Sequence, residues 1–252
     1  MGKTDRIGEK SITKEGYEVI IVEYNNNKDI IIEFQDEYKS RKKCAYTEFK
    51  IGSVRNPYHR SVYDVGYLGV GKYSHKTHKL IYDEWNHMLG RCYNPYALNK
   101  CPTYIDCYVY DKWHNFQNFA KWYEENYYEC NEEKMCLDKD ILYKGNKIYS
   151  PKTCIFTPEK INVLFVRQQR QRGNFPIGVS HHKSYDKLEV YCRVNKKKVR
   201  LGFFELNQIE DAFNCYKQFK ENHIKQVADE YKDLIPQRLY DAMYNYEIEI
   251  ND

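Results

Sequence analysis

The stretch GVSHHKSYDKLEVYCRVNKKKVRLGFFELNQIEDAFNCYKQFKENHI, residues 178 to 224, decides the architecture of this 252-residue chain. Three segments read as short strands: PIGVSHH (176–182), KLEVYCRVN (187–195) and KKVRLGFFE (197–205), the last two joined by a turn at NKK. In the second, Leu188, Val190, Cys192 and Val194 alternate with Glu189, Tyr191, Arg193 and Asn195. In the third, Val199, Leu201 and Phe203 alternate with Lys198, Arg200 and Gly202. A period of two sends successive side chains to opposite faces, so one sheet face is apolar and the other basic and aromatic. The period then lengthens. NQIEDAFNCYKQFKENHIKQVADEY (207–231) reads as a long helix whose Ile209, Ala212, Phe213, Tyr216, Ile224 and Val227 cover the apolar face. Residues 173–235 are therefore expected as a three-stranded antiparallel sheet packed on one long helix with its other face open, followed by a tail at 236–252.

Upstream, YEVIIVEY (17–24) and DIIIEFQDEY (29–38) are β-branched runs joined by NNNK, a turn that tolerates positive φ. Residues 1–72 are expected as a small antiparallel β unit, a five-stranded open barrel being one form it could take. The GVG of DVGYLGVGKY (64–73) does not complete a dinucleotide fingerprint, because no third glycine and no βαβ unit accompany it. From Thr77 the pattern is helical. Leu80, Ile81, Trp85, Met88 and Leu89 share a face until Asn94-Pro95 ends the run. TYIDCYVY (103–110) reads as a short strand, and KWHNFQNFAKWYEENY (112–127) places Trp113, Phe116, Phe119, Ala120 and Tyr123 at helix spacing. Such an aromatic stripe is core packing more often than a base-stacking platform.

Composition narrows the class. Charged residues make up 30% and aromatic residues 16%, with 26 tyrosines. No apolar run reaches the length of a membrane span, and MGKTDRIGEKSITK has no signal-peptide core, so no membrane partner is expected. Nine cysteines without a CxxC pair point to reduced thiols in an intracellular protein rather than a disulfide framework. The net charge of +4 is small, but its distribution is uneven. Between Arg167 and Phe204, Arg167, Arg170, Arg172, Lys183, Lys187, Arg193, Lys196, Lys197, Lys198 and Arg200 are opposed only by Asp186 and Glu189. A local basic block is the footprint of a phosphate backbone, although charge runs also occur on ordinary solvated faces.

The 178–224 stretch resembles the ethylene-response (Apetala-type) DNA-binding domain of plant factors and phage homing endonucleases. The resemblance rests on Gly178-Val179, on the strand with Tyr191 and Arg193, on Leu201-Gly202-Phe203-Phe204, and on Asp211-Ala212-Phe213 with Tyr216. It implies that the sheet enters the major groove of double-stranded DNA, with His181, Lys183, Tyr191, Arg193, Lys198 and Arg200 as DNA-binding residues. Lysine stands at positions where that family often has arginine, and lysine lacks the bidentate fork that reads guanine.

The central stretch LDKDILYKGNKIYSPKTCIFTPEKINVLF (137–165) is similar to the HNH core of phage-type homing endonucleases, a degenerate ββα region expected within residues 73–166. The resemblance makes Asp138, Lys139, Asp140, Asn146 and Asn162 the candidate catalytic positions. Asp138 or Asp140 matches the acidic metal ligand, Asn146 the loop residue and Asn162 the closing ligand. Lys139 or Ile141 falls where the histidine base belongs. An HNH nuclease needs a base to activate water and one divalent cation at the leaving oxygen. Lysine is ordinarily protonated at neutral pH, so the base is missing. The expected fold is thus α+β. The expected function is phage or prophage DNA binding in the bacterial cytoplasm, with the nuclease centre degenerate. Two alternatives stand beside it: an active endonuclease or nickase using magnesium or manganese at Asp138, Asp140 and Asn162, and a protein-interaction role with an acidic partner.

Overall fold

The computed structural model describes residues 5–166 and 175–252, and the chain divides into two compact units. The first runs to Asn126 and takes in Lys147–Ser150; the second comprises Tyr127–Asn146 and Pro151–Asp252. The fold is α+β throughout. The unit boundaries differ from those expected. The helical half of residues 73–166 belongs with the N-terminal β unit, and the hairpin half belongs with the C-terminal sheet.

In the first unit, β1 (Lys10–Ile12), β2 (Glu18–Asn26), β3 (Asp29–Phe34) and β4 (Arg41–Cys44) form an antiparallel meander in that spatial order. It has four strands, one fewer than a five-stranded barrel. Val19, Ile21, Ile30, Ile32 and Phe34 occupy one face, and Phe49 of α1 (Tyr46–Lys50) packs with them in a shared core. The other face mixes charged Glu18, Asp29 and Glu33 with half-exposed Ile20 and Ile31, so the fully buried alternation is what fixes this register.

The helices α2 (Lys79–Tyr93), α3 (Pro95–Lys100) and α4 (Phe116–Asn126) complete the unit. Trp85, Met88 and Leu89 of α2 and Phe116, Phe119 and Ala120 of α4 are buried. The Trp85 indole donates to the Trp113 carbonyl at 2.7 Å. The aromatic stripe is thus core, with Trp113 in a 3-10 turn before α4. Leu80 is an exception to the expected face, being 79% exposed at the start of α2. The strand expected over 103–110 shrinks to β5 (Tyr108–Val109), which pairs in parallel with β7 (Ile148–Tyr149).

The second unit begins with β6 (Met135–Asp138) and β8 (Ile155–Pro158), an antiparallel pair, followed by the single-turn α5 (Glu159–Asn162). Next come β9 (Val179–His182), β10 (Lys187–Val194) and β11 (Lys197–Phe204), with β10 central. Last are α6 (Ile209–Glu230) and α7 (Gln237–Tyr244). Ala212, Phe213 and Tyr216 of α6 pack on Val179, Leu188, Val190 and Cys192 of the sheet. Ile224, Val227 and Ala228 instead join Ile141, Ile155 and Ile161 of the hairpin region, with Leu239 and Met243 of α7.

Three expectations are corrected here. Ile209 is exposed rather than packed on the sheet, and Ile224 and Val227 serve the hairpin core. The segment 236–252 is part of the fold. Ile248 enters the sheet core, its N–H donates to Glu221 and its carbonyl accepts from Lys217 Nζ.

Gly178 shows how closely α6 approaches the sheet. Its φ is +79°, and a Cβ there would lie 2.0 Å from Tyr216 Cδ2. Gly178→Ala combines left-handed strain with overpacking, each costing on the order of 1–3 kcal/mol. Urea unfolding should show a loss of about 2–4 kcal/mol. A loss within 0.5 kcal/mol of zero, the range typical of neutral surface changes, would show that this contact does not constrain the packing.

Candidate nucleic-acid interface

The β10–β11 hairpin closes on Asn195 and Lys196, whose φ angles of 50° and 65° suit a two-residue turn of the type that matches strand twist. Away from the turn, Arg193 lies opposite Lys198 and Tyr191 opposite Arg200. The register then shifts between Val190 and Tyr191, so that Val190 faces Gly202 and Glu189 faces Phe203, with Leu201 as the extra residue. A bulge of this kind reverses the alternation beyond it. Phe203 is therefore on the open face and Phe204 is partly buried against the core, the reverse of the sequence reading. Leu201 is only partly buried.

The open face carries Tyr191, Arg193, Lys198 and Arg200 together, as the alternation requires. At its centre is Glu189, 4% exposed, which was not among the candidate residues. Its carboxylate accepts from Arg200 Nε at 2.7 Å and from Lys198 Nζ at 2.8 Å. Burial works against its charge, yet these two donors hold its pKa below the ordinary carboxylate value. Each cation also lies over a ring: Lys198 Nζ is 4.2 Å from the Tyr191 centroid, and Arg200 Cζ is 5.2 Å from that of Phe203. Arg193, Lys183, Lys196 and Lys197 enter no ion pair among the described residues.

The two histidines of β9 part company. His181 lies opposite Leu188 and so points to the helix-bearing side, where its Nε2 is 2.9 Å from Asp186 Oδ1. His182 lies opposite Lys187 on the open side. It stacks on Tyr185 at 4.7 Å between centroids, and both rings meet Phe203 edge-on. His181 is thus separated from the other candidate residues, and the aromatic group His182, Tyr185 and Phe203 joins them. Lys183 is exposed in the β9–β10 turn. The candidate basic residues Arg167, Arg170 and Arg172 lie outside the described residues.

In the hairpin region, Leu137, Ile141, Ile155, Phe156 and Ile161 are buried, as their apolar pattern requires. The polar candidates are committed to holding the loop together. Asp138 Oδ1 accepts from the N–H groups of Asp140 at 2.8 Å and Ile141 at 2.7 Å. Lys139 is buried; its Nζ donates to Asp140 Oδ2 at 3.0 Å and to the Asn146 carbonyl at 2.9 Å, while Asn146 Nδ2 donates to the Lys139 carbonyl at 2.6 Å. Asp138 pairs with Ile155, at the opposite end of the ladder from Pro158, after which α5 begins. No hydrogen bond joins Asn162 to Asp138 or Asp140 among the described residues. Nor do three His, Cys, Asp or Glu side chains group there so as to hold a metal ion. His114 belongs to the first unit, with Nε2 3.4 Å from the Tyr93 hydroxyl, and burial lowers its pKa.

The chain matches no protein-family model, no curated protein and no solved structure. No helix among the described residues is long and apolar enough to cross a membrane.

Burial, with Asp140 nearby, pushes the Asp138 carboxyl up from its ordinary 3.8 to about 6. Between those values the folded chain binds more protons than the unfolded one. This group's contribution is therefore full below about pH 4 and is lost as pH rises through about 6. Asp138→Asn keeps an oxygen acceptor for both N–H groups and removes the titration. Unfolding free energies measured from pH 4 to 7 should fall less steeply with pH in the variant than in the wild type. Parallel profiles would mean that Asp138 does not titrate in this window.

Proposed function

We propose that the chain binds double-stranded DNA through the open face of the β9–β11 sheet, and that its hairpin centre does not cleave. One observation carries the reading. Tyr191, Arg193, Lys198 and Arg200 occupy facing positions of one two-stranded ladder, exposed or half-exposed on the side away from α6. A two-stranded ribbon fits the major groove, roughly 12 Å wide. Phosphate neutralisation by Lys and Arg supplies the sequence-independent part of the affinity. The resemblance to the ethylene-response domain points to the same face.

The second half of the proposal rests on Lys139 and Asp138. The Lys139 ammonium donates to Asp140 Oδ2 and to the Asn146 carbonyl, and an ammonium has no lone pair with which to take a proton from water. Asp138 offers Oδ1 to two backbone N–H groups, which is what an ordinary Asx turn does.

Purified protein mixed with supercoiled plasmid should retard it without nicking, equally with magnesium, with manganese and with chelator. Arg193→Ala/Arg200→Ala should weaken duplex binding and lower the slope of log K against log salt by about 2, close to 0.9 for each lost phosphate contact. Unchanged affinity and slope would remove the sheet as the binding surface. Nicking that needs metal and disappears in Asp140→Ala would replace this reading with the nuclease.

A further inference from the structure

The buried stripe of α6 runs Ala212, Phe213, Tyr216, Lys220, Ile224, Val227, Ala228, with intervals of three and four between Phe213 and Val227. Every member is apolar or aromatic except Lys220, which is only 8% exposed. It falls where the stripe passes from the sheet core to the hairpin core. Burying an ammonium is costly unless an anion accompanies it. None does among the described residues. The adjacent Glu221 is held by Lys217 and by the Ile248 N–H. The titratable groups that act on Lys220 or that it acts on are the buried Cys192 thiol and His223, neither of them an anion in the ordinary pH range. Burial lowers the pKa of Lys220 and of His223.

At this point in the stripe lies a cavity of about 760 Å³ within the second unit. Tyr216, Lys220, Ile224 and Val227 line it from α6, Val179 and Cys192 from the sheet. Its acids are already engaged: Glu133 accepts from the Tyr231 hydroxyl, Glu159 is ion-paired with Lys134 at 3.8 Å, and Asp252 is ion-paired with Lys144. Of its exposed cations, Lys134 and Lys160 pair with Glu159 and Glu230, while Arg193 and Lys196 have no ion pair among the described residues. The chamber is therefore apolar in its walls and unbalanced toward positive charge. Residues that break a packing pattern are expected at functional sites, and this volume is in the range of small-molecule pockets.

We infer that this cavity binds an amphipathic organic anion, a carboxylate, sulfonate or phosphate on an apolar or aromatic body, with the anionic group on the Lys220 ammonium and the body against Ile224, Val227 and Tyr216. The inference does not rest on the DNA-binding reading, although Tyr191 and Arg193 of the open face also line this cavity.

A pair of fluorescent probes matched in their aromatic body and differing in charge tests it: anilinonaphthalene sulfonate, an anion, and the neutral N-phenyl-1-naphthylamine. The full chain should bind one anionic probe at least tenfold more tightly than the neutral one. Lys220→Met should remove that preference while keeping the neutral probe, and Lys220→Arg should retain it. A preference that survives Lys220→Met, equal affinities in the wild type, or no saturable binding would overturn the proposal. A second measurement needs no variant. Reductive methylation of wild-type protein, read by peptide mass spectrometry, should show Lys220 protected by the anionic probe while exposed Lys183 is not. Equal labelling of Lys220 with and without probe would refute the site even if the variants do not fold.

Discussion

The second unit depends on one constraint: a single stripe on α6, from Ala212 to Ala228, must be buried by two different partners. The first turns meet the sheet through Ala212, Phe213 and Tyr216, and the later turns meet the hairpin region and α7 through Ile224, Val227 and Ala228. Fully burying a side chain of this size is worth roughly 1.5–3 kcal/mol. The sheet covers the first part of the stripe and the β6–β8 region with α7 the later part, so the helix joins them into one unit. The same constraint accounts for Gly178, the only residue type that lets β9 come this close to Tyr216, and for the return of Ile248 to the sheet core.

On the opposite side of the sheet, the controlling interaction is the fork of Glu189 to Lys198 and Arg200. Two long cations with many rotamers are held by one nearly buried carboxylate, and each is also seated over a ring. Holding them reduces the ordering cost of a later encounter. It also offsets part of their charge. Arg193 and the turn lysines, which have no such partner among the described residues, therefore carry more of the free positive charge of the face than a count of basic residues suggests.

In the hairpin region, residues with nuclease-like spacing hydrogen-bond within their own loop. Asp138 closes an Asx turn, and Lys139, Asp140 and Asn146 tie the loop between β6 and β8 to itself. A loop of this length needs internal hydrogen bonds for its buried polar groups. Those bonds engage Asp138 Oδ1, Asp140 Oδ2 and the Lys139 ammonium.

Much of this was determined by the sequence alone. Periods of two and of three to four located β2, β3, β10, β11, α2, α4 and α6, because the burial of alternating or striped apolar residues is a local property of the pattern. The basic character of one sheet face followed from the same alternation at Tyr191, Arg193, Lys198 and Arg200. What the tertiary structure decided were choices between equal local options. The bulge at Leu201 exchanged Phe203 with Phe204; Gly202 beside it is the kind of residue that marks a bulge, but it does not say which residue is the extra one. The strand pairing sent His181 to the helix side and His182 to the open side. Adjacent strand residues always point oppositely, and only the partner strand says which is which. The division of α6 between two cores, and the place of Lys220 at their junction, depended on contacts more than fifty residues apart in the chain, such as Ile155 with Ile224. No spacing within the helix could reveal them.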